Sequence, residues 1–143
     1  MNSTEHVLSV KPFVVRRKVK WGECDPAGVV YTPVFAEYVI SAAELFYGSL
    51  FGSAPRMRRE LAFETPTRAL SFDFRSPLWP DDEFDMAVSV RNIASRTYTL
   101  GISASKSGTP VFDSELTPIC LKQDERRAIE IPARLRSRLE EYR

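Results

Sequence analysis

Trp21-Gly22-Glu23-Cys24-Asp25-Pro26-Ala27-Gly28-Val29-Val30-Tyr31-Thr32-Pro33 is the stretch on which the reading turns, because a tight acidic turn runs directly into a long apolar segment. Such a junction offers two complementary tools. Asp25 supplies a carboxylate that can act as base or nucleophile, and the amides at a helix start can hold a polarised carbonyl oxygen.

Downstream, residues 33–50 read as the best helix, with Thr32 suited to the N-cap, Pro33 to the first helical position, and Gly48 and Gly52 as stops. Phe35, Tyr38, Val39, Ala42 and Phe46 form one apolar face, with Ala36, Ile40, Ala43 and Tyr47 beside it. Only Glu37, Ser41 and Glu44 make a polar stripe. A surface helix carries a narrower apolar band, so this one is expected to be wrapped by other structure, for which a curved sheet suffices.

Upstream, residues 12–20 read as a first strand, preceded by a flexible leader over residues 1–10. After the helix, Leu70, Phe72 and Phe74 alternate with Ser71, Asp73 and Arg75. Phe84, Met86, Val88 and Val90 then alternate with Asp85, Ala87, Ser89 and Arg91. Tyr98 to Ser105 repeats the pattern up to the turn signal Lys106-Ser107-Gly108-Thr109-Pro110, and a last strand runs roughly from Val111 to Leu121. Pro118 interrupts that strand and cannot donate to a ladder, which predicts a bulge or an open edge there. Pro132 opens a short C-terminal helix over residues 132–143, with Ile131, Leu135 and Leu139 on one face. Neither internal repeats nor a low-complexity linker interrupts the series.

Bulk properties narrow the function classes. A chain of 143 residues, 43% of them hydrophobic, suits one domain with a real core spanning 1–143. Twenty Lys plus Arg against 19 Asp plus Glu leave a net charge of +1, so no global field points to nucleic acid or membrane. No apolar run approaches the ~20 residues of a membrane span, and residues 1–10 lack the order of a secretory signal, which predicts a cytoplasmic protein. Cys24 and Cys120 lack C-x-x-C spacing, arguing against zinc and disulfides and for buried free thiols. His6 is the only histidine and falls in the leader, so imidazole-based triads are disfavoured and acid–base work falls to carboxylates.

A helix after a first strand, followed by four antiparallel strands, resembles the hot dog fold: an α+β architecture whose five-stranded antiparallel sheet wraps a long central helix. Gly22-Glu23-Cys24-Asp25-Pro26-Ala27-Gly28-Val29-Val30-Tyr31 resembles the active-site loop of the 4-hydroxybenzoyl-CoA thioesterase family, in the branch whose catalytic Asp precedes the helix. Asp124-Glu125-Arg126-Arg127-Ala128-Ile129-Glu130-Ile131-Pro132 is similar to that family's closing strand exit. The likeness thus covers nearly the whole chain.

The resemblance implies hydrolysis of an acyl-CoA thioester without a separate cofactor, coenzyme A being part of the substrate. It implies Asp25 as catalytic carboxylate, the Thr32 backbone amide on the thioester oxygen, and a homo-oligomer, dimer or tetramer, with sites between subunits. Gly28, Tyr31 and Arg96 become candidate substrate-binding residues. The chain departs from hydroxybenzoyl-specific members in Asn92-Ile93-Ala94-Ser95-Arg96, where they carry a basic cluster. It departs again at Ile40, where they carry an acidic residue that meets a ring hydroxyl. The acyl group is expected to be aromatic or otherwise small, 4-hydroxybenzoyl-like by the resemblance, with a substrate lacking the para-hydroxyl as the alternative that Ile40 opens.

Plainer readings stand beside these. Asp25-Pro26-Ala27-Gly28 suits an ordinary type I turn. Glu37 and Glu44 are alternative carboxylates, and Cys24 is an alternative nucleophile with no neighbouring cation to lower its pKa. The basic runs Arg16-Arg17-Lys18, Arg56-Met57-Arg58-Arg59 and Arg126-Arg127 suit phosphate clamps or solvated faces. Tyr31, Phe35, Tyr38 and Trp79 suit an acyl pocket or core. At the level of function, a non-catalytic acyl-CoA or acyl-carrier-protein binding module and a hot dog dehydratase are the alternatives. The dehydratase is disfavoured because the loop has no His.

Overall fold

A computed structural model describes residues 4–143. Strand β1 (Glu5–Val10) pairs with β2 (Phe13–Lys18), and a short 3₁₀ turn (Trp21–Glu23) leads through the loop into α1 (Val34–Phe51). Then come α2 (Ala54–Leu61), β3 (Phe63–Glu64), β4 (Thr67–Phe74), β5 (Glu83–Ile93), β6 (Tyr98–Lys106), β7 (Thr109–Pro118), β8 (Leu121–Lys122) and α3 (Ala133–Glu140). Among the described residues the main sheet has six antiparallel strands in the order β1-β2-β5-β6-β7-β4, and β3 and β8 form a separate two-stranded pair.

The expected antiparallel sheet and central helix are present, with six strands in place of five. The added strand is β1, where a flexible leader was expected; residues 1–3 of that leader lie outside the described residues. Its pattern is illegible because it is an edge strand wetted on both faces, with Val7, Leu8 and Val10 all exposed and a bulge between Val7 and Ser9.

The period-two alternation translates into sheet faces as expected. Phe84, Met86, Val88 and Val90 of β5, and Tyr98, Leu100, Ile102 and Ala104 of β6, are buried on the face that carries α1. On the opposite face the Arg91 side chain lies flat across Gly101, where a Cβ would come within 2.1 Å of the Arg91 Nε. Only glycine permits that approach.

The broad apolar surface of α1 is buried along its length: Phe35, Tyr38, Val39, Ala42, Ala43, Phe46, Tyr47 and Leu50 all belong to the core. By length and composition alone α1 also matches a membrane span, yet here its apolar side chains pack on the sheet. Phe46 stacks edge-on against Phe13 at 5.4 Å and Tyr142 at 5.0 Å. A buried polar contact inside this layer is self-contained, the Tyr47 and Tyr98 hydroxyls meeting at 2.5 Å.

Helix ends differ from expectation in detail. The N-cap of α1 is Pro33 without a side-chain cap, so the Thr32 hydroxyl does not serve there, and Gly48 lies inside the helix while Gly52 ends it at φ 93°. Helix α2 was not foreseen, because its arginines mask its two buried residues, Ala54 and Met57. Its start signal is nevertheless local: the Ser53 Oγ accepts the Arg56 amide at 3.1 Å, with Pro55 beside it. Pro118 ends β7 opposite a register shift between Thr67 and Ala69, and the chain beyond it turns away to pair with β3. Leu135 and Leu139 are buried on one side of α3, as their spacing predicts, and Ile131 is buried just ahead of the helix.

Candidate active site

The acidic loop of residues 21–33 sits at one end of the sheet, where β2 leaves, β5 enters and β4 exits into residues 75–82. Two segments clamp each other there. The Val30 amide donates to the Leu78 carbonyl at 2.9 Å, the Val19 amide to Asp82 at 2.8 Å, and the Asp81 amide back to Val19 at 3.0 Å. Leu78 is fully buried and anchors the second segment.

Within the loop, Asp25-Pro26-Ala27-Gly28 is the turn that its residue types predict, the Gly28 amide donating to the Asp25 carbonyl at 2.9 Å. The Asp25 Oδ1 accepts the Ala27 amide at 2.9 Å, which fixes the carboxylate, half-buried, at the head of the turn. Gly28 adopts φ 89°, a conformation that side chains resist, and its open side faces the Trp79 ring, 3.7 Å from where a Cβ would stand. After the turn the chain runs back antiparallel. The Asp25 amide donates to Val29 at 2.9 Å and the Tyr31 amide to Glu23 at 3.0 Å.

At the helix entrance the first amides are already paired: Val34 donates to Tyr31, Phe35 to Thr32 and Ala36 to Pro33. Pro33 has no N–H. Among the described residues the Thr32 amide donates to no protein group, and Thr32 lines a cavity of about 420 Å³ whose apolar walls are Val29, Val30, Phe35, Phe74, Pro77 and Leu78 and whose polar side is Arg75 and Ser76. Phe35 is its aromatic wall, 5.0 Å from Phe74, 5.6 Å from Phe112 and 6.4 Å from Phe72. An unpaired amide at a helix start beside an apolar hollow is suited to polarising a carbonyl oxygen.

Of the expected site residues, Asp25, Gly28, Tyr31 and Thr32 thus share one loop. Tyr31 contributes through its backbone, its side chain being exposed and outside the cavity lining. Arg96 is not brought to them. It lies in the turn between β5 and β6, at the far end of an 11-residue strand from the loop, with its carbonyl accepting the Cys120 amide at 2.9 Å. At ~3.3 Å per residue that strand is about 35 Å long, so within one chain Arg96 and Asp25 serve different places.

The alternative chemistries lose ground in the geometry. Cys24 is half-buried rather than core, and burial together with the carboxylates of Glu23, Asp25 and Asp82 pushes its thiol pKa up, away from the reactive thiolate. Burial holds the Cys120 thiol up at about 12. Glu44 is paired with Arg58 at 2.9 Å, and Glu37 is exposed on the outer stripe of α1. No group of three or more His, Cys, Asp or Glu that could hold a metal ion occurs among the described residues.

The basic runs are largely engaged within the chain. Arg16 pairs with Asp85 at 2.8 Å, Arg17 with Glu23 at 2.7 Å, Arg56 with Glu60 at 2.7 Å and Arg127 with Glu125 at 2.6 Å. Sequence reasoning missed Glu23 and Arg17 as parts of this site, since nothing in local spacing tells that a strand arginine and a loop glutamate meet.

Comparison with known proteins agrees with this architecture. The chain resembles a gentisyl-coenzyme A thioesterase, BH1999, at 20% identity and TM-score 0.77, covering 87% of this chain and 98% of that one. It also resembles the 1,4-dihydroxy-2-naphthoyl-CoA thioesterase Slr0204 from Synechocystis, at 21% identity and TM-score 0.80, over 89% and 94% of the two chains. A Staphylococcus aureus protein, SAV2348, solved in complex with CoA, matches at 16% identity and TM-score 0.83, over 99% of this chain and 87% of that one. At these identities the likeness establishes the hot dog fold alone. No curated protein matches. The family model described as the Thioesterase-like superfamily matches residues 19–139, from just after β2 to the last turn of α3, and the chain belongs to that superfamily.

Proposed function

We propose that this protein hydrolyses an acyl-CoA thioester to the free acid and coenzyme A, with Asp25 as the catalytic carboxylate and the Thr32 amide as the donor to the thioester oxygen. One observation carries the reading. A turn-fixed carboxylate and an unpaired helix-entrance amide occupy the same loop, and the amide lies beside a largely apolar cavity. Thioesterases of aromatic acyl-CoAs among the solved neighbours, and one neighbour solved with CoA, support the substrate class.

The chemistry balances by either of two routes. In the first, Asp25 takes a proton from water as the water oxygen attacks the carbonyl carbon. The oxygen of that carbonyl gains charge against the Thr32 amide, and the C–S bond then breaks to release the CoA thiolate, which is protonated. In the second, an Asp25 oxygen attacks, CoA thiolate leaves, and water cleaves the mixed anhydride to restore Asp25. Neither route calls on a separate cofactor.

The acyl group that fits the Phe35, Phe74 and Leu78 walls is aromatic or otherwise small and apolar. Ile40, half-exposed on α1, offers no partner for a ring hydroxyl, which favours an acyl group without one. The unpaired thiols of Cys24 and Cys120 support action in the cytoplasm.

The same reading includes self-association. Strand β4 is an edge of the main sheet, bonded only to β7, and its Phe74 is 47% exposed at the rim of the cavity. An eight-residue free edge with apolar side chains invites a second antiparallel copy, and a two-fold pairing there would cover Phe74 and close the cavity's open side. A dimer, or a tetramer of two such dimers, is expected by sedimentation, and Phe74→Asp is expected to shift it to the 16.3 kDa monomer.

The test of function is release of free thiol from aliphatic, benzoyl, hydroxybenzoyl and phenylacetyl CoA thioesters. Turnover is expected with an aromatic or short acyl group. Tight binding of acyl-CoA without thiol release would instead establish a non-catalytic carrier.

A further inference from the structure

Glu23 stands two residues before Asp25 and outside the cavity lining, yet its carboxylate gathers three donors. Oε1 accepts the Lys20 amide at 2.8 Å and the Tyr38 hydroxyl at 2.9 Å, and Oε2 accepts Arg17 Nη2 at 2.7 Å. The side chains of Glu23 and Arg17 are only 14% and 12% exposed. Arg17 lies over the Tyr38 ring, 4.8 Å from its centre, and gives its other terminal nitrogen to Glu5 at 3.1 Å; Glu5 in turn accepts the Ser41 hydroxyl. Tyr38 and Ser41 are one turn apart on the same side of α1. The side chain of Glu23 is thereby bolted to β2 and α1 at once, while its backbone carbonyl receives the Tyr31 amide, immediately before Thr32.

A largely buried ion pair is a poor device for stability alone, because desolvating two charges offsets most of their attraction. What such a pair supplies is fixed geometry. Arg17 accepts a further cost to stand here, its Nε being buried without a partner among the described residues. Burial, and then the Glu23 carboxylate, hold the Tyr38 phenol far above its ordinary range, so its hydroxyl remains a donor at every working pH.

We infer that Glu23 is a positioning residue, which through Tyr38 and Arg17 fixes the separation between the Asp25 carboxylate on one arm of the loop and the Thr32 amide on the other. Its kinetic consequence rests on the thioester-hydrolase reading; its geometric consequence does not. Since a misplacement of about 1 Å can cost on the order of 100-fold in rate, loosening this clamp acts on turnover rather than on substrate capture.

The experiment compares Tyr38→Phe and Glu23→Gln with the native chain by steady-state kinetics, thermal unfolding and amide hydrogen exchange. Tyr38→Phe removes one hydroxyl and keeps the ring, and Glu23→Gln keeps the volume while breaking the ion pair. The expected result is a fall in kcat of roughly 10- to 100-fold with KM changed by less than about threefold, and faster exchange of the Tyr31 amide. In an Asp25→Asn background the same Tyr38→Phe change is expected to cost less than about twofold, because the geometry it protects no longer has a base to present. A lowered Tm with unchanged kcat, or a Tyr31 amide that exchanges as in the native chain, overturns the inference. Absence of turnover in the native chain would instead remove the hydrolase reading, and the Tyr31 amide, which needs no substrate, would still decide whether the clamp orders the loop.

Discussion

Asp25→Asn is expected to lower free-thiol release from the preferred CoA thioester by about 100- to 10,000-fold, the range supplied by a positioned base. The substitution separates charge from shape. An asparagine oxygen still accepts the Ala27 amide, which the Asp25 Oδ1 now accepts at 2.9 Å, so the turn and the course of the loop persist. What disappears is the capacity to take a proton or to attack carbon. Thermal unfolding of the variant is expected to match the native chain, with acyl-CoA binding retained through the cavity and the Thr32 amide. A residual rate above that of free solution is expected as well, because one oriented amide is worth on the order of 100-fold or more. Equal rates in the two proteins would take Asp25 out of the mechanism and leave the turn as a structural device.

The second large effect concerns stability. Phe46→Ala is expected to cost about 3–5 kcal/mol, the range for deleting a buried aromatic ring and leaving part of its volume empty. Phe46 is fully buried midway along α1, with rings of Phe13, Tyr47 and Tyr142 within 5.0–6.2 Å, so β2, α1 and the C-terminal segment all close on it. Denaturant titration should show the midpoint falling with the slope unchanged. Ile40→Ala on the same helix is the contrast. That side chain is 42% exposed, and its truncation in an isolated chain is expected to stay within about 0.5 kcal/mol.

Strong periodicity made the fold legible where one face is dry and the other wet. Phe84, Met86, Val88 and Val90 declare β5 because each alternates with a residue that meets solvent, and the breadth of the apolar band on α1 shows that the helix needs partners on several sides. The same physics hid β1, whose Val7, Leu8 and Val10 obey no such contrast, and α2, whose arginines outnumber its single fully buried anchor. At the site, Asp25, Gly28 and Thr32 were readable because turn chemistry and helix entry are local properties. Arg96 stands apart from the loop within one chain for the converse reason. Its proximity to the loop depends on which end of a strand it occupies, and residue type does not encode that. Glu23 and Arg17 escaped notice because charge pairing across six residues of chain needs the three-dimensional path to be known first.

Strand β1 gives the molecule an accessible handle. An outer strand detaches at a lower free-energy cost than the core, so it is the first element that heat, a protease or a bulky fusion at that terminus would peel away. Detachment carries Glu5 off Arg17 and Ser41 while the sheet from β2 to β4 stays folded. On the thioester-hydrolase reading, preparations that differ only before Lys11 are then expected to melt alike and turn over at different speeds, the outer strand acting as a throttle through Arg17 and Ser41.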